Sequence, residues 1–272
     1  MQRTLYTPTM IDTFRACKKA YTLAFLQNSL ETESLSFICK QFLLRVLSQI
    51  NKGKITTVSQ LQKYMGQYWP AHQLDSKSDR EAVTKAFLFV YKTLLRYLAK
   101  PYRPAGGRIV GVALNIRARV PNAKVYVEDT FDLILWFQNE QRLEFVDFTM
   151  QSLKNFDPAW PGTTILVKKY LAEKLKTRWP YKKLSVRFER LGLQDYPAVI
   201  ANPEESIYRL HWTERVKNLE EMQALENEEM GNKPFRDSLW QPHEKCRHCE
   251  TIMARLKKQQ YLIEESEYSM TA

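Results

Sequence analysis

The sequence predicts an α/β fold, in which a helical N-terminal region precedes a mixed central sheet flanked by helices. Three observations carry that expectation. Apolar residues recur at helical spacing over roughly the first hundred positions, and from Arg108 the pattern changes to period-two alternation. The third is the stretch Val125 to Thr149, which reads as two strands, 126–138 and Arg142–Thr149, rich in β-branched and aromatic residues.

Those two strands are joined by a short polar turn. With Asn139 and Glu140 as its central residues, Asp132 in FDLIL falls opposite Asp147 in FVDFT. A slightly longer loop shifts the pairing but keeps both carboxylates on one face, because side-chain direction alternates with period two. Like charges opposite one another destabilise a hairpin, so the pair either lies in solvent or has a cation between its members. A divalent metal is the economical candidate.

The other elements follow in chain order. Thr9 is placed to cap a helix whose apolar face runs Met10, Phe14, Cys17, Tyr21 and Phe25. A second helix covers 35–51, with Lys40, Gln41 and Arg45 as polar intruders, and Gly53 ends it. Further helices are expected over 58–68 and 79–98, and PYRPAGG (101–107) breaks the pattern. Arg108–Val120 is a strand, and Pro121-Asn122 a turn before the hairpin. NFDPAWP (155–161) is a loop. Thr163 or Thr164 starts a helix that Pro180 closes, and Lys182–Leu191 is a strand. The organisation is therefore a helical part, 1–107, and an α/β part, 108–272, expected to form one compact unit.

The 41 basic and 30 acidic residues give a net charge of +11 and a pI near 9.4. That excess favours a polyanionic partner, nucleic acid before an acidic protein or a membrane surface. No apolar run approaches the length of a membrane span and no signal-peptide pattern opens the chain, so a cytoplasmic protein is expected. Between Lys168 and Arg190 nine basic residues face only Glu173 and Glu189, a net +7 in one short segment. Lys168, Lys169, Lys174, Lys176, Arg178, Lys182 and Lys183, interleaved with Tyr170, Trp179 and Tyr181, read as a track for a phosphate backbone. The acidic stretch Glu214–Glu229 reads as a helix facing away from it.

Four cysteines in an intracellular chain suggest metal or cluster binding or buried thiols rather than disulfides. Cys246-x-x-Cys249, flanked by His243 and His248, needs further ligands from elsewhere, and Cys17 is the natural third.

Together these features resemble the RecB/Cas4-like branch of the PD-(D/E)XK nuclease superfamily, over most of the chain from Leu5 to about Cys249. LYTPTMIDTFRACKKAYTL resembles the family's opening helix, with Thr7, Thr9, Phe14, Cys17 and Tyr21 in the corresponding places. The resemblance implies a restriction-endonuclease-like core. It also implies Asp132 and Asp147 as ligands of Mg²⁺ or Mn²⁺, and a 4Fe-4S cluster or zinc held by Cys17, Cys246 and Cys249. DNA would be the partner, with protein partners in a repair or defence complex.

The departures are specific. The family's catalytic lysine falls at Thr149, so Lys168 or Lys169 on the following helix, or Lys154, would have to replace it. The Gly-x-x-x-His pattern falls on Phe37 and Gln41. Gln-x-x-x-Tyr becomes Leu166-x-x-x-Tyr170, and a further cluster cysteine is replaced by Arg255. Three functions are expected from this pattern: a metal-dependent DNA nuclease with a relocated lysine, a nuclease-fold module that binds DNA without cutting it, and an interaction protein with no nucleic-acid role.

Overall fold

The computed structural model describes residues 5–27, 35–71, 74, 80–149, 162–191, 199–201, 204–231 and 246. Its architecture is mixed α/β, a mixed sheet flanked by helices. Two compact units interleave along the chain: one combines 1–32, 118–128 and 209–272, the other 33–117 and 129–208.

In the first unit β1 (Leu5–Tyr6) pairs in parallel with the start of β3 (Val125–Phe137), at Leu5↔Tyr126 and Tyr6↔Val127. The opening helix differs from the expectation in two ways. Its cap is Thr7 rather than Thr9: Oγ1 of Thr7 accepts from the Met10 amide at 3.4 Å, and Pro8 occupies the first helical position, where no N–H is needed. The helix α1 (Pro8–Ala16) also stops early. Cys17 adopts an extended backbone, and its Sγ accepts from the Ala20 amide at 3.4 Å, capping a new turn, α2 (Lys18–Tyr21). A π-helical segment, Thr22–Gln27, follows. Tyr21 is buried and donates to Glu226 at 2.5 Å.

In the second unit three helices, α3 (Leu35–Asn51), α4 (Val58–Tyr68) and α5 (Arg80–Ala99), stand close to where apolar periodicity placed them. Gly53, at φ 73°, lets the chain leave α3 in the left-handed region while its amide donates to Ile50 O. Thr57 and Gln60 form a capping box at the start of α4. These helices share one core with Leu133, Leu135 and Phe137 of β3 and with Val146 and Phe148 of β4 (Arg142–Thr149).

The hairpin turn is the predicted one. Gln141 N donates to Gln138 O at 3.1 Å, with Asn139 and Glu140 between them, and the antiparallel register runs from Phe137↔Arg142 to Leu133↔Val146. On the face away from α3, Trp136 meets Trp179 at 5.9 Å between ring centroids.

β2 (Gly107–Val120) also pairs with β3. From β4 the chain passes through α6 (Thr163–Ala172) to β5 (Lys183–Arg190), which lies parallel to β4. The three-residue β6 (Val199–Ala201), antiparallel to β5, was not apparent in the sequence. α6 is shorter than expected. It gives way to a 3-10 turn, Glu173–Leu175, so Lys174, Lys176 and Arg178 lie beyond it rather than along a helix. The expected loop 155–161 and Lys154 lie outside the described residues. The acidic stretch at 214–229 lies within α7 (Glu205–Gly231), as expected.

A candidate acidic site around Lys168

The register brings Asp132 and Asp147 to where the next pair of the hairpin would form, but the ladder stops at Leu133↔Val146. The amide of Phe148, left without a strand partner there, donates instead to Asp132 Oδ2 at 2.9 Å. A buried backbone N–H must find an acceptor, and here a side-chain carboxylate takes the place of a strand carbonyl. β3 is irregular at this point. Regular alternation would set Phe131 beside Leu133 against α3, yet its ring meets Phe145 edge-on at 4.5 Å. The irregularity also brings Asp129, an odd number of residues from Asp132, to the same site.

The centre of the site is Lys168, on the buried side of α6. Its side chain is 1% exposed. Nζ lies 2.7 Å from Thr130 O, 3.1 Å from Asp129 Oδ2 and 3.0 Å from Asp147 Oδ1, and rests over the Phe131 ring at 4.3 Å. A lysine is almost never buried so deeply without such partners. Burial opposes its charge, but Asp147, Asp129 and Asp132 outweigh that and hold the ammonium above its ordinary pKa.

The carboxylates respond to the same balance. Burial and the neighbouring Asp147 push Asp132 up to about 7, against the opposing pull of Lys168, the Phe148 amide and Lys40. Asp147 is also raised, by burial above all, with Lys168 pulling the other way and Asp129 adding to the rise. Among the described residues, Asp129 Oδ2 and Asp147 Oδ1 meet no hydrogen-bond donor apart from the ammonium. Three carboxylates therefore face one buried cation, and a full set of ionised acids would leave a net charge of −2.

This arrangement answers the sequence reading point by point. The cation between paired aspartates is in this structure Lys168, and the acids directly flanking it are Asp129 and Asp147. Asp129 was missed because its odd spacing from Asp132 places the two on opposite faces of a regular strand. Of the candidate replacements for a lysine at Thr149, Lys168 reaches the acids. Thr149 itself lies in the β4–β5 ladder opposite Arg190. Lys169, one residue on, pairs with Glu205 at 2.8 Å and lies over the Tyr208 ring. Tyr170 neighbours Tyr208 and stands about 200° around α6 from Lys168, away from the carboxylates.

The basic track is corrected at its first member. Lys168 is buried among carboxylates and cannot be a surface contact for a phosphate backbone. Lys174, Lys176, Arg178, Lys182 and Lys183 are exposed, as a track requires, although Lys176 also pairs with Glu173 at 2.8 Å.

Among the described residues no three His, Cys, Asp or Glu side chains are arranged to hold a metal ion. The residues nonetheless suit a small hard cation. Their donors are carboxylate oxygens, two of them buried with the Lys168 ammonium beside them, and Mg²⁺ commonly takes only one or two protein carboxylates together with water and substrate phosphate.

In the other unit, Cys17 and Cys246 line one cavity of about 720 Å³, with Phe14, Lys18 and Glu221 among its walls. Two of the three expected cluster ligands therefore open onto one space. Cys249, His243 and His248 lie outside the described residues. Cys39 is buried in the helical core of the second unit, where burial raises its thiol pKa.

No family model matches the chain, and no curated protein matches it. Among solved structures, one described as the crystal structure of SSO0001 is similar over 69% of this chain and 86% of that one, at 12% sequence identity and a TM-score of 0.31. A likeness that weak carries no argument about this protein.

Proposed function

We propose that this protein is a metal-dependent DNA nuclease of the PD-(D/E)XK type, with Asp132 and Asp147 as the metal-binding carboxylates and Lys168 as the cation that Thr149 cannot supply. One observation carries the reading: Asp129, Asp132 and Asp147 converge on a single buried lysine, so that carboxylate charge exceeds the cationic charge inside the protein. That excess favours entry of a divalent cation. Mg²⁺ or Mn²⁺ held there would lower the pKa of a bound water and offset charge at a scissile phosphate.

The protein's own groups have separate tasks in this proposal. Asp132, anchored by the Phe148 amide, and Asp147 present oxygens from adjacent strands. Asp129 holds Lys168 from the opposite side, and Lys168 opposes the protonation of Asp132 and Asp147 that burial favours. The exposed cations from Lys174 to Lys183 would hold the DNA backbone, and their contribution would weaken with salt. The cavity lined by Cys17 and Cys246 is where the proposal places an iron–sulfur or zinc staple, completed by Cys249.

A second reading rests on its own observation. The position between Asp129 and Asp147 is already filled by an ammonium, as it would be in a module that kept a nuclease fold to bind DNA and lost the chemistry. Incubation of single- and double-stranded DNA with Mg²⁺ or Mn²⁺ separates the two. The nuclease reading expects cleavage that is lost in Asp132→Ala and Asp147→Ala, by about two to three orders of magnitude or more. Salt-sensitive binding without cleavage supports the second reading. Absence of salt-sensitive DNA binding contradicts both.

A further inference from the structure

α5 carries a surface that the acidic site leaves unused. Its buried side, with Val90, Leu94 and Tyr97, belongs to the core shared with β3 and β4, and the Tyr97 ring meets Phe148 edge-on at 5.3 Å. Asp147 lies between Val146 and Phe148, so it points to the opposite face of β4, where Lys168 of α6 meets it at 3.0 Å. The outer side of α5 therefore faces away from the acids, with the sheet between them.

That outer side is built to a pattern. Lys85, Leu88, Phe89, Lys92, Arg96 and Lys100 recur at helical spacing along one stripe, and all are exposed. The amide of Lys100 donates to Arg96 O at 3.1 Å and extends the last turn, so the stripe runs for about 22 Å. Leu88 is 46% exposed and Phe89 37%, with Lys85 one turn before them and Lys92 one turn after. Glu81, which pairs with Lys85 at 2.5 Å, is the one acid of this helix.

Two adjacent large apolar side chains inside a cationic border have the layout of a protein interface, apolar at its centre and polar at its rim. A phosphate backbone would pair with the cations but bring nothing apolar to Leu88 and Phe89. A second copy of the same stripe would set cation against cation. A straight stripe of this length, at helical spacing, suits another helix laid along it.

We infer that the outer face of α5 is a docking surface for an acidic amphipathic helix of a partner protein. The partner's apolar side chains cover Leu88 and Phe89, and its carboxylates meet Lys85, Lys92, Arg96 and Lys100. The surface is separate from the proposed nuclease site and does not depend on it. Its apolar centre holds the partner, while the cations steer its approach and set its orientation.

Fluorescence anisotropy of the full-length protein with a labelled helical peptide tests this. The peptide, of about 18 residues, carries Leu at i, i+3, i+4 and i+7 and Glu on both flanks, and a scrambled peptide of the same composition is the control. The substituted positions are exposed, so Leu88→Ser, Phe89→Ser and the double variant Lys92→Glu/Arg96→Glu are expected to melt with wild type. Binding that falls about tenfold or more in each variant, and as far for the scrambled peptide, supports the surface. No binding by wild type, equal binding by the variants, or equal binding of the scrambled peptide overturns it. Leu88→Ser and Phe89→Ser proteins that lose affinity for a DNA duplex or for phosphatidylserine vesicles, rather than for the peptide, assign the face to another class of partner and overturn it too.

Discussion

At the scale of single residues, Lys168 and Asp132 define the site and make opposite demands on stability. Lys168 is buried with two ion pairs, and replacing it with Met would leave Asp129 and Asp147 buried without their cation. Breaking a buried pair from one side typically costs about 3–5 kcal/mol. Lys168→Met should therefore lower chemical-denaturation stability by roughly that amount at pH 8 in EDTA. The deficit should shrink towards pH 5, as the abandoned carboxyls take up protons.

Asp132 works in the reverse sense. Its pKa of about 7 in the folded protein lies above its ordinary value of 3.8, so the folded state keeps a proton that the unfolded chain releases. Stability from this group is fully present below about pH 4 and is lost as pH rises through 7. Asn at this position can still accept from the Phe148 amide but carries no charge. Asp132→Asn should accordingly be more stable than wild type at pH 8, by roughly 1–3 kcal/mol in the absence of metal, and about equal to it at pH 4. Denaturation curves at the two pH values check this. A wild type that gains stability between pH 4 and 7 relative to Asp132→Asn would contradict the placement of this acid. At this scale the sequence made Asp132, Asp147 and the lysines of α6 legible, because each is a charge inside an apolar run. Asp129 was not, since its place at the site depends on an irregular strand.

At the scale of elements, the hairpin is the most readable part of the chain. Alternation, aromatic content and a polar turn were enough to give its register residue by residue. Reading failed where a side chain overrode periodicity. Cys17 takes the capping position that divides α1 from α2, and the helix holding Lys168 ends at Ala172 although its apolar pattern continues. β6, with three residues, is too short for any pattern to mark. The packing of Phe131 on Phe145 fixes the irregular part of β3 and gives Lys168 its floor. Phe131→Ala should cost about 3–5 kcal/mol, as large aromatic truncations in cores do, measured by urea denaturation. It should also abolish any Mn²⁺-dependent activity at temperatures where the protein stays folded. Full activity in a folded Phe131→Ala protein would show that the bend in β3 does not set the acids.

At the scale of the whole molecule, the basic excess divides into charges with different tasks. Some cations of the dense 168–190 segment are committed inside the protein: Lys168 to the acids, Lys169 to Glu205 and Arg187 to Glu189. The exposed group from Lys174 to Lys183 remains available to a polyanion. Counting charges along the sequence could not separate these roles, because pairing depends on which elements meet. The acidic helix shows the same principle: Glu214 lies near Arg15, and Glu221 pairs with Lys18, within their own unit. The composition led to the expectation of a polyanionic partner, and what the fold adds is a buried acidic centre in the unit that also carries the exposed basic segment.

The central claim is that this acidic centre cuts DNA with a metal ion. It is tested most directly by the rate at which wild type and Asp147→Ala cleave one DNA duplex in Mn²⁺, at a temperature where both are folded. The account predicts cleavage by wild type that EDTA abolishes, and a rate at least about 100-fold lower in Asp147→Ala. Equal rates in the two proteins, or no cleavage by wild type at any Mn²⁺ or Mg²⁺ concentration, would contradict it.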